Sequence, residues 1–309
     1  MTRKILIAAP RGWCAGVERA VEIVERALAR HGAPVYVRKQ IVHNLHVVRS
    51  LEAKGAIFVE SEDDVPEGAV CVFSAHGVSP EVRQNAARRS LTVVDATCPL
   101  VTKVHVEARR FASAERSIFL IGHRSHEEVE GTAGEAPGRV TVIEDLADVE
   151  RAVAGDPDRV AFLTQTTLAV DDTVELIAAL RDRFPAMVGP RHDDICYASQ
   201  NRQQAVKALA GRSDLVLIVG SENSSNSNRL VEVSAEAGTP AHLVGDETAI
   251  DPAWLLGAGV VGVSSGASTP EVLVDRVVAY LGAAGFGEVE TLEVATEDVH
   301  FPLPAELLD

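Results

Sequence analysis

Four cysteines and a scattered set of histidines, hydroxyls and amides carry the chemistry available to this chain. Cys14, Cys98 and Cys196 lie 84 and 98 residues apart. Cys14 follows the extended run KILIAAP and opens AGVERAVEIVERALAR, in which Val17, Val21, Val24 and Leu28 share a helical face. Cys98 follows LTVVDAT and opens PLVTKVHVEARRFA, with Val101, Val104, Ala108 and Phe111 similarly spaced. Cys196 follows HDDI and opens YASQNRQQAVKALA. A junction of extended chain and helix offers backbone N–H groups and the positive end of the helix dipole, both of which stabilise a thiolate. The near-equal spacing reads as one cysteine per small α/β unit, with three thiolates converging on a pseudo-threefold axis. Structural zinc normally takes four ligands in close C-x-x-C pairs, and no such pair occurs. Three distant thiolates fit better an iron–sulfur cluster with one iron left without a cysteine, although spacing alone does not separate one metal from another. Cys71, inside GAVCVFSAHG, reads as a small buried apolar residue.

The elements that must position these residues alternate. Val- and Ile-rich runs such as KILIAAP, AVCVFSAHG, SIFLIGH, VAFLTQTT, DLVLIVGS and GVVGVSSGAS are separated by helical stretches including Asn44–Lys54, Pro80–Arg89 and Val170–Arg183. That is the pattern of an α/β protein with mainly parallel sheets covered by helices on both faces. Breaks near Asp95–Cys98 and Gly189–Cys196 divide it into three similar units, 1–97, 98–194 and 195–281, followed by an acidic tail, 282–309, packed on the body.

In such sheets ligands bind beyond the carboxyl ends of the strands. The residues there are His43 and Asn44; Ser74, His76 and Gly77; His123, His126 and Glu128; Gln165, Thr166 and Thr167; Ser221 and Asn223 to Asn226; and Ser265, Gly266 and Ser268. Neutral donors and close-approach glycines suit a diphosphate or another polyanion. Neither a Walker loop nor a dinucleotide-binding G-x-G-x-x-G follows any strand. Ser and Asn at strand ends commonly serve only as turns and helix caps, but here three histidines and the SSN run fall at the same sheet end. Glu128, in the run EEVE, is a proton donor if it projects into the site beside His126, and otherwise part of a solvated helix face.

The 309 residues carry 45 acidic and 29 basic side chains, a net charge of −16. Seven of the acids lie beyond Arg276, the last Lys or Arg, so the body is less repulsive to anions than the total suggests. The balance disfavours a nucleic-acid partner. No apolar run approaches the ~18–20 residues of a membrane span, and the opening six-residue apolar stretch is too short for a signal peptide. A cytoplasmic protein is expected.

The motifs RGWCAGVERA, VHN, SAHGV, DATCPLV, IGHRSHEEVEGT, TQTTLAVDDT, DICYASQNRQ, GSENSSNSNRL and SGAST, in this order over essentially the whole chain, resemble the 4-hydroxy-3-methylbut-2-enyl diphosphate reductase family. The family catalyses the last step of the non-mevalonate isoprenoid pathway. The resemblance implies one 4Fe–4S cluster held by Cys14, Cys98 and Cys196 at the centre of three α/β domains. It implies that His43, His76, His126, Ser224, Ser225, Asn226 and Ser268 bind the substrate diphosphate. It makes Glu128 the proton source, His126 a relay, and Thr166 the partner of the substrate hydroxyl or of ordered water. It also implies an electron donor such as ferredoxin or flavodoxin. These carriers are acidic, so docking needs a basic patch, for which Arg88–Arg89, Arg109–Arg110 and Arg181–Arg183 are candidates. The chain departs from the family at Trp13, usually Phe or Tyr, and at Glu127, usually Pro. An inward-pointing Glu127 is expected to raise the pKa of its neighbour Glu128. Two other readings compete with the reductase: a zinc-dependent hydrolase with Cys and His ligands, and a non-catalytic sensor that binds a cluster or a diphosphate.

Overall fold

The computed structural model of the chain describes residues 3–308. The first third of the chain contains β1 (Arg3–Ala9), α1 (Ala15–His31), β2 (Val35–Arg38), α2 (Leu45–Glu52), β3 (Ala56–Val59), β4 (Val70–Phe73), α3 (Pro80–Arg88) and β5 (Thr92–Asp95). The middle contains α4 (Pro99–Ser113), β6 (Ser117–Ile121), α5 (Glu127–Gly134), β7 (Val140–Ile143), α6 (Leu146–Arg151), β8 (Val160–Thr164) and α7 (Val170–Arg183). The last third contains α8 (Tyr197–Ala210), β9 (Leu215–Val219), α9 (Ser225–Glu236), β10 (Ala241–Val244), β11 (Val260–Ser265), α10 (Glu271–Ala283) and β12 (Phe286–Glu293).

The strands form three sheets of order β10-β9-β11-β1-β12, β3-β2-β4-β5 and β7-β6-β8. Every strand pairing among the described residues is parallel. The α/β class with three parallel sheets is therefore as expected.

The chain forms two compact units. One holds the five-stranded sheet, with the segment ending at Glu18, His43–Val47 and Tyr197–His300. Both faces of this sheet are covered. Ile5, Ile7, Leu217 and Val263 pack against Leu273, Val277 and Leu281 of α10. Leu6, Ala8, Val216 and Ile218 pack against α8 and α9 through Val206, Leu209 and Leu230. This two-sided burial explains why β1 and β9 read as continuous apolar runs without alternation.

The other unit holds the two smaller sheets, within Arg19–Val42, Val48–Cys196 and the segment from Phe301. Phe119, Ile121 and Phe162 meet α7 at Leu176 and Leu180. Ile118, Leu120 and Leu163 meet α4 at Val104, Ala108 and Phe111. Cys71 and Phe73 of β4 pack with Val82 and Ala86 of α3. Burial pushes the Cys71 thiol up to about 12, so it behaves as the apolar residue expected.

The boundaries placed after residues 97, 194 and 281 are not those of the sheets. β1 leaves the first segment and lies between β11 and β12, which satisfy the backbone hydrogen bonds of both its edges. β12, placed by sequence in the acidic tail, is an edge strand of the same sheet. Its acids point out of the core, where Glu288 and Glu290 pair with Lys4 and Glu290 also pairs with Arg212. Charges of this kind keep an edge strand from pairing with another chain.

Candidate active site

The three spaced cysteines occupy equivalent local positions. Each immediately precedes a helix or forms its cap: Cys14 before α1, Cys98 at the cap of α4, Cys196 before α8. All three are half-buried, unlike Cys71. Each donates its backbone N–H to a carbonyl in a loop beyond a strand end: Cys14 to Ala267 at 3.2 Å, Cys98 to Ala75 at 2.9 Å, and Cys196 to Thr166 at 3.0 Å. Those loops follow β11, β4 and β8, the strand ends from which sequence placed ligand-binding residues. Cys14 belongs to the first unit, and Cys98 and Cys196 to the second.

In the second unit the loops gather the residues expected to handle protons. His126 caps α5, and its Nδ1 accepts the Glu128 backbone N–H at 3.2 Å. An accepting Nδ1 leaves the proton of the neutral ring on Nε2. Burial, reinforced by the charge of His76, holds the His126 pKa down to about 3, so the ring stays neutral across the physiological range. The His76 and His126 rings meet edge to face with centroids 5.6 Å apart. Gly77, at φ +81°, lets this loop lie against α4, where a β-carbon would sit 3.0 Å from His105 Cε1.

Glu128 is 2% exposed. Its Oε1 accepts the Thr166 N–H at 2.6 Å, and its Oε2 accepts the Thr166 hydroxyl at 3.0 Å. Burial raises its pKa to about 7, with a smaller contribution from the Asp194 charge, against the lowering effect of the two Thr166 bonds. A carboxyl poised near neutrality can hold a proton and release it. Asp194, also buried, accepts the Thr164 N–H at 3.1 Å and is itself pushed up to about 6 by burial. Its effect on Glu128 was not read from the sequence, where the only signal is a carboxylate two residues before Cys196.

Glu127 turns toward His76 and Ser74. Its Oε2 lies 3.3 Å from His76 Nδ1 and 3.4 Å from the Ser74 hydroxyl. Although burial works against the charged form, His76 and Lys39 hold the Glu127 pKa below its ordinary value. The high pKa of Glu128 comes chiefly from burial, with a smaller raising effect of the Asp194 charge.

In the first unit the loops present neutral donors. Ser224 caps α9, its hydroxyl accepting from the Ser227 N–H at 3.2 Å and from the Ser227 hydroxyl at 3.0 Å. Gly266 permits this packing, since a β-carbon there would fall 2.0 Å from Ser227 Oγ. Ser225 opens α9. Asn226 Oδ1 accepts the Ala267 N–H at 2.8 Å, fixing the same residue whose carbonyl receives the Cys14 N–H. Ser268 donates its hydroxyl to the His43 carbonyl at 2.9 Å, and Asn223 Nδ2 lies 3.5 Å from His43 Nδ1. The structure thus groups His43, Ser224, Ser225, Asn226 and Ser268 with Cys14 in one unit. It groups His76, His126, Glu128 and Thr166 with Cys98 and Cys196 in the other.

A family model described as LytB protein matches residues 5–282. The 4-hydroxy-3-methylbut-2-enyl diphosphate reductase of Acidothermus cellulolyticus is 58% identical over 306 residues, 99% of this chain and 90% of its own. The solved structure of the E-1-hydroxy-2-methyl-but-2-enyl-4-diphosphate reductase from Plasmodium falciparum superposes with a TM-score of 0.96 at 37% identity, covering 99% of this chain and 97% of its own. A second solved structure, of (E)-4-hydroxy-3-methyl-but-2-enyl diphosphate reductase, the terminal enzyme of the non-mevalonate pathway, gives 0.64 at 30% identity over 91% and 99% of the two chains. No helix among the described residues is long and apolar enough to cross a membrane. The chain belongs to the LytB family, the 4-hydroxy-3-methylbut-2-enyl diphosphate reductases.

Proposed function

We propose that the chain removes the allylic hydroxyl of 4-hydroxy-3-methylbut-2-enyl diphosphate reductively. Two electrons and two protons enter, the C–O bond breaks, water leaves, and isopentenyl and dimethylallyl diphosphates form. Cys14, Cys98 and Cys196 hold one 4Fe–4S cluster. The donor set fits that group: three half-buried thiols, each at a helix N-terminus with its backbone N–H tied to a strand-end loop. The fourth cysteine is in the core, with its thiol pKa pushed far up. When bound, such a cluster supplies the electrons and a Lewis acid for the hydroxyl.

The observation that carries this reading is the chain of contacts from Glu128 through Thr166 to Cys196. Thr166 presents its N–H and hydroxyl to the carboxyl and its carbonyl to the cysteine N–H. An acid raised to about 7 thereby stands one residue from a cluster ligand. Hydroxide is a poor leaving group, and Glu128 supplies the proton that lets it leave as water. Thr166 orients that proton and the substrate hydroxyl. His43, His76, His126, Ser224, Ser225, Asn226 and Ser268 hold the diphosphate, and that remote binding energy fixes the reacting carbon. His126, neutral with its proton on Nε2, donates to a phosphate oxygen and relays protons.

The electrons come from a small acidic carrier of the ferredoxin or flavodoxin kind, in the cytoplasm. Two of the basic candidates for its docking are already engaged. Arg110 pairs with Glu107, and Arg183 donates to the carbonyls of Val149, Glu150 and Ala152. The test is anaerobic turnover with a strong artificial reductant. Water-releasing reduction of the diphosphate supports the reading; binding without reduction favours a sensor, and mononuclear zinc in a colourless protein favours a hydrolase.

A further inference from the structure

We propose that Arg19, Lys103 and Arg202 are three equivalent positioning cations, each holding the loop that carries one of the cysteines. The inference rests on the cluster reading above. Arg19 lies five residues after Cys14, Lys103 five after Cys98, and Arg202 six after Cys196, each early in the helix that follows its cysteine.

Each cation grips the backbone ahead of a different cysteine. Arg19 Nη1 donates to the carbonyls of Ala96 and Thr97 at 3.3 and 3.1 Å, the two residues before Cys98. Lys103 Nζ donates to the carbonyls of His192 and Asp193 at 2.8 and 2.6 Å, four and three residues before Cys196. Arg202 donates to the Gly12 carbonyl from Nε at 3.1 Å and from Nη2 at 2.7 Å, and to the Trp13 carbonyl at 3.3 Å, the two residues before Cys14. The helix opened by one cysteine thus supplies the cation for the next, and the order closes on itself: 14 to 98, 98 to 196, 196 to 14.

Two of the cations also have a carboxylate partner, and Arg19 has acidic groups around it. Asp194 lies 3.3 Å from Lys103, and Glu297 lies 2.9 Å from Arg202. Burial lowers the Arg19 pKa, opposed by the Cys98 thiol and, more weakly, by Asp95 and Glu306. Arg202 is wholly buried, a position that is costly for a charge without such pairing. The residues after β12 contribute directly: Glu297 to Arg202, and the Pro302 carbonyl to Arg19 at 2.8 Å.

The physical role follows from charge. A backbone carbonyl turned toward a thiolate opposes it, since both are negative. A cation that draws those carbonyls to itself fixes the loop, while the cysteine N–H is held from the other side by Ala267, Ala75 or Thr166. The thiol positions are then set before any metal arrives, as outer-sphere partners set metal ligands elsewhere.

The test uses the full chain with its cluster reconstituted anaerobically, in the variants Lys103→Gln, Lys103→Arg and Arg19→Gln. Removal of either cation speeds iron release to a ferrous chelator about tenfold, the size expected for an outer-sphere partner. Removal also lowers the reduction potential, because a positive charge near the centre is lost; substrate KM is unmoved. Lys103→Arg restores both rate and potential, which a purely structural defect does not predict. Lys103 keeps a partly exposed side chain, so its variants test the idea even if Arg19→Gln does not fold. Wild-type release rates and potentials in Lys103→Gln overturn the proposal. If the wild-type chain takes up no iron and sulfide, the cluster reading fails. The cations are then tested alone by thiol modification: faster labelling of Cys196 in Lys103→Gln sustains them, and equal rates overturn them.

Discussion

Glu128 and the Ser224–Asn226 segment both lie at the mouth of a parallel sheet, yet they solve opposite problems. Glu128 is a single carboxyl removed from water, so its proton affinity is raised to about 7. The Ser224–Asn226 end carries no side-chain charge; its amide and hydroxyls order one another and the nearby backbone. On the proposed reading one region moves a proton and the other receives an anion without moving one. Their variants should therefore separate chemistry from binding.

The largest effect lies upstream of both regions. Ser in place of any one of Cys14, Cys98 or Cys196 abolishes the visible absorption of the iron–sulfur centre and all turnover, whereas Cys71→Ser leaves iron content unchanged. Iron analysis and visible spectra of the four variants check this, and loss of iron from Cys71→Ser would make Cys71 a ligand and contradict the set of three.

Next comes Glu128→Gln. It keeps the cluster and substrate KM but lowers kcat by about 10²–10⁴-fold, the range of acid catalysis. In the unsubstituted chain kcat falls as pH rises through about 7, because the protonated carboxyl is the active form and is lost in that direction. A flat profile between pH 5 and 9, measured with the artificial donor, would remove Glu128 from the proton-donor role.

Asn226→Ala and Ser268→Ala reverse that pattern. Each raises KM by roughly 10-fold or more, the size of a lost hydrogen bond to a charged group, with a smaller change in kcat. Steady-state kinetics decide, and a fall in kcat alone would place these residues with the chemistry instead.

The smallest effect is at Glu127. Because its carboxylate faces His76 and Ser74, Glu127→Gln leaves the midpoint of the kcat profile where it was and alters only diphosphate KM. A midpoint that moves down would restore the expectation that Glu127 raises the pKa of its neighbour.

Much of this contrast was legible in the residues. The periodicities after Cys14 and Cys98, and the helical segment placed after Cys196, match α1, α4 and α8, and the apolar runs match their strands. Local sequence encodes these because each is set by its own burial pattern. The edge position of β12 was not legible, since an acidic alternating segment reads equally as a tail. Nor was the direction of Glu127, because adjacent residues in a helix point about 100° apart and only the neighbouring loop decides which one meets a partner. The interior role of Arg202 was hidden for the same reason, as an arginine in NRQQ looks like surface until Gly12 and Glu297 are seen around it.

The most direct test of the central claim is iron and acid-labile sulfide analysis of the anaerobically purified chain, together with its reduced EPR spectrum with and without the diphosphate substrate. The account predicts a brown protein with one four-iron centre per chain, whose spectrum changes when the substrate is added. A colourless chain without sulfide, or a centre indifferent to the substrate, would contradict it.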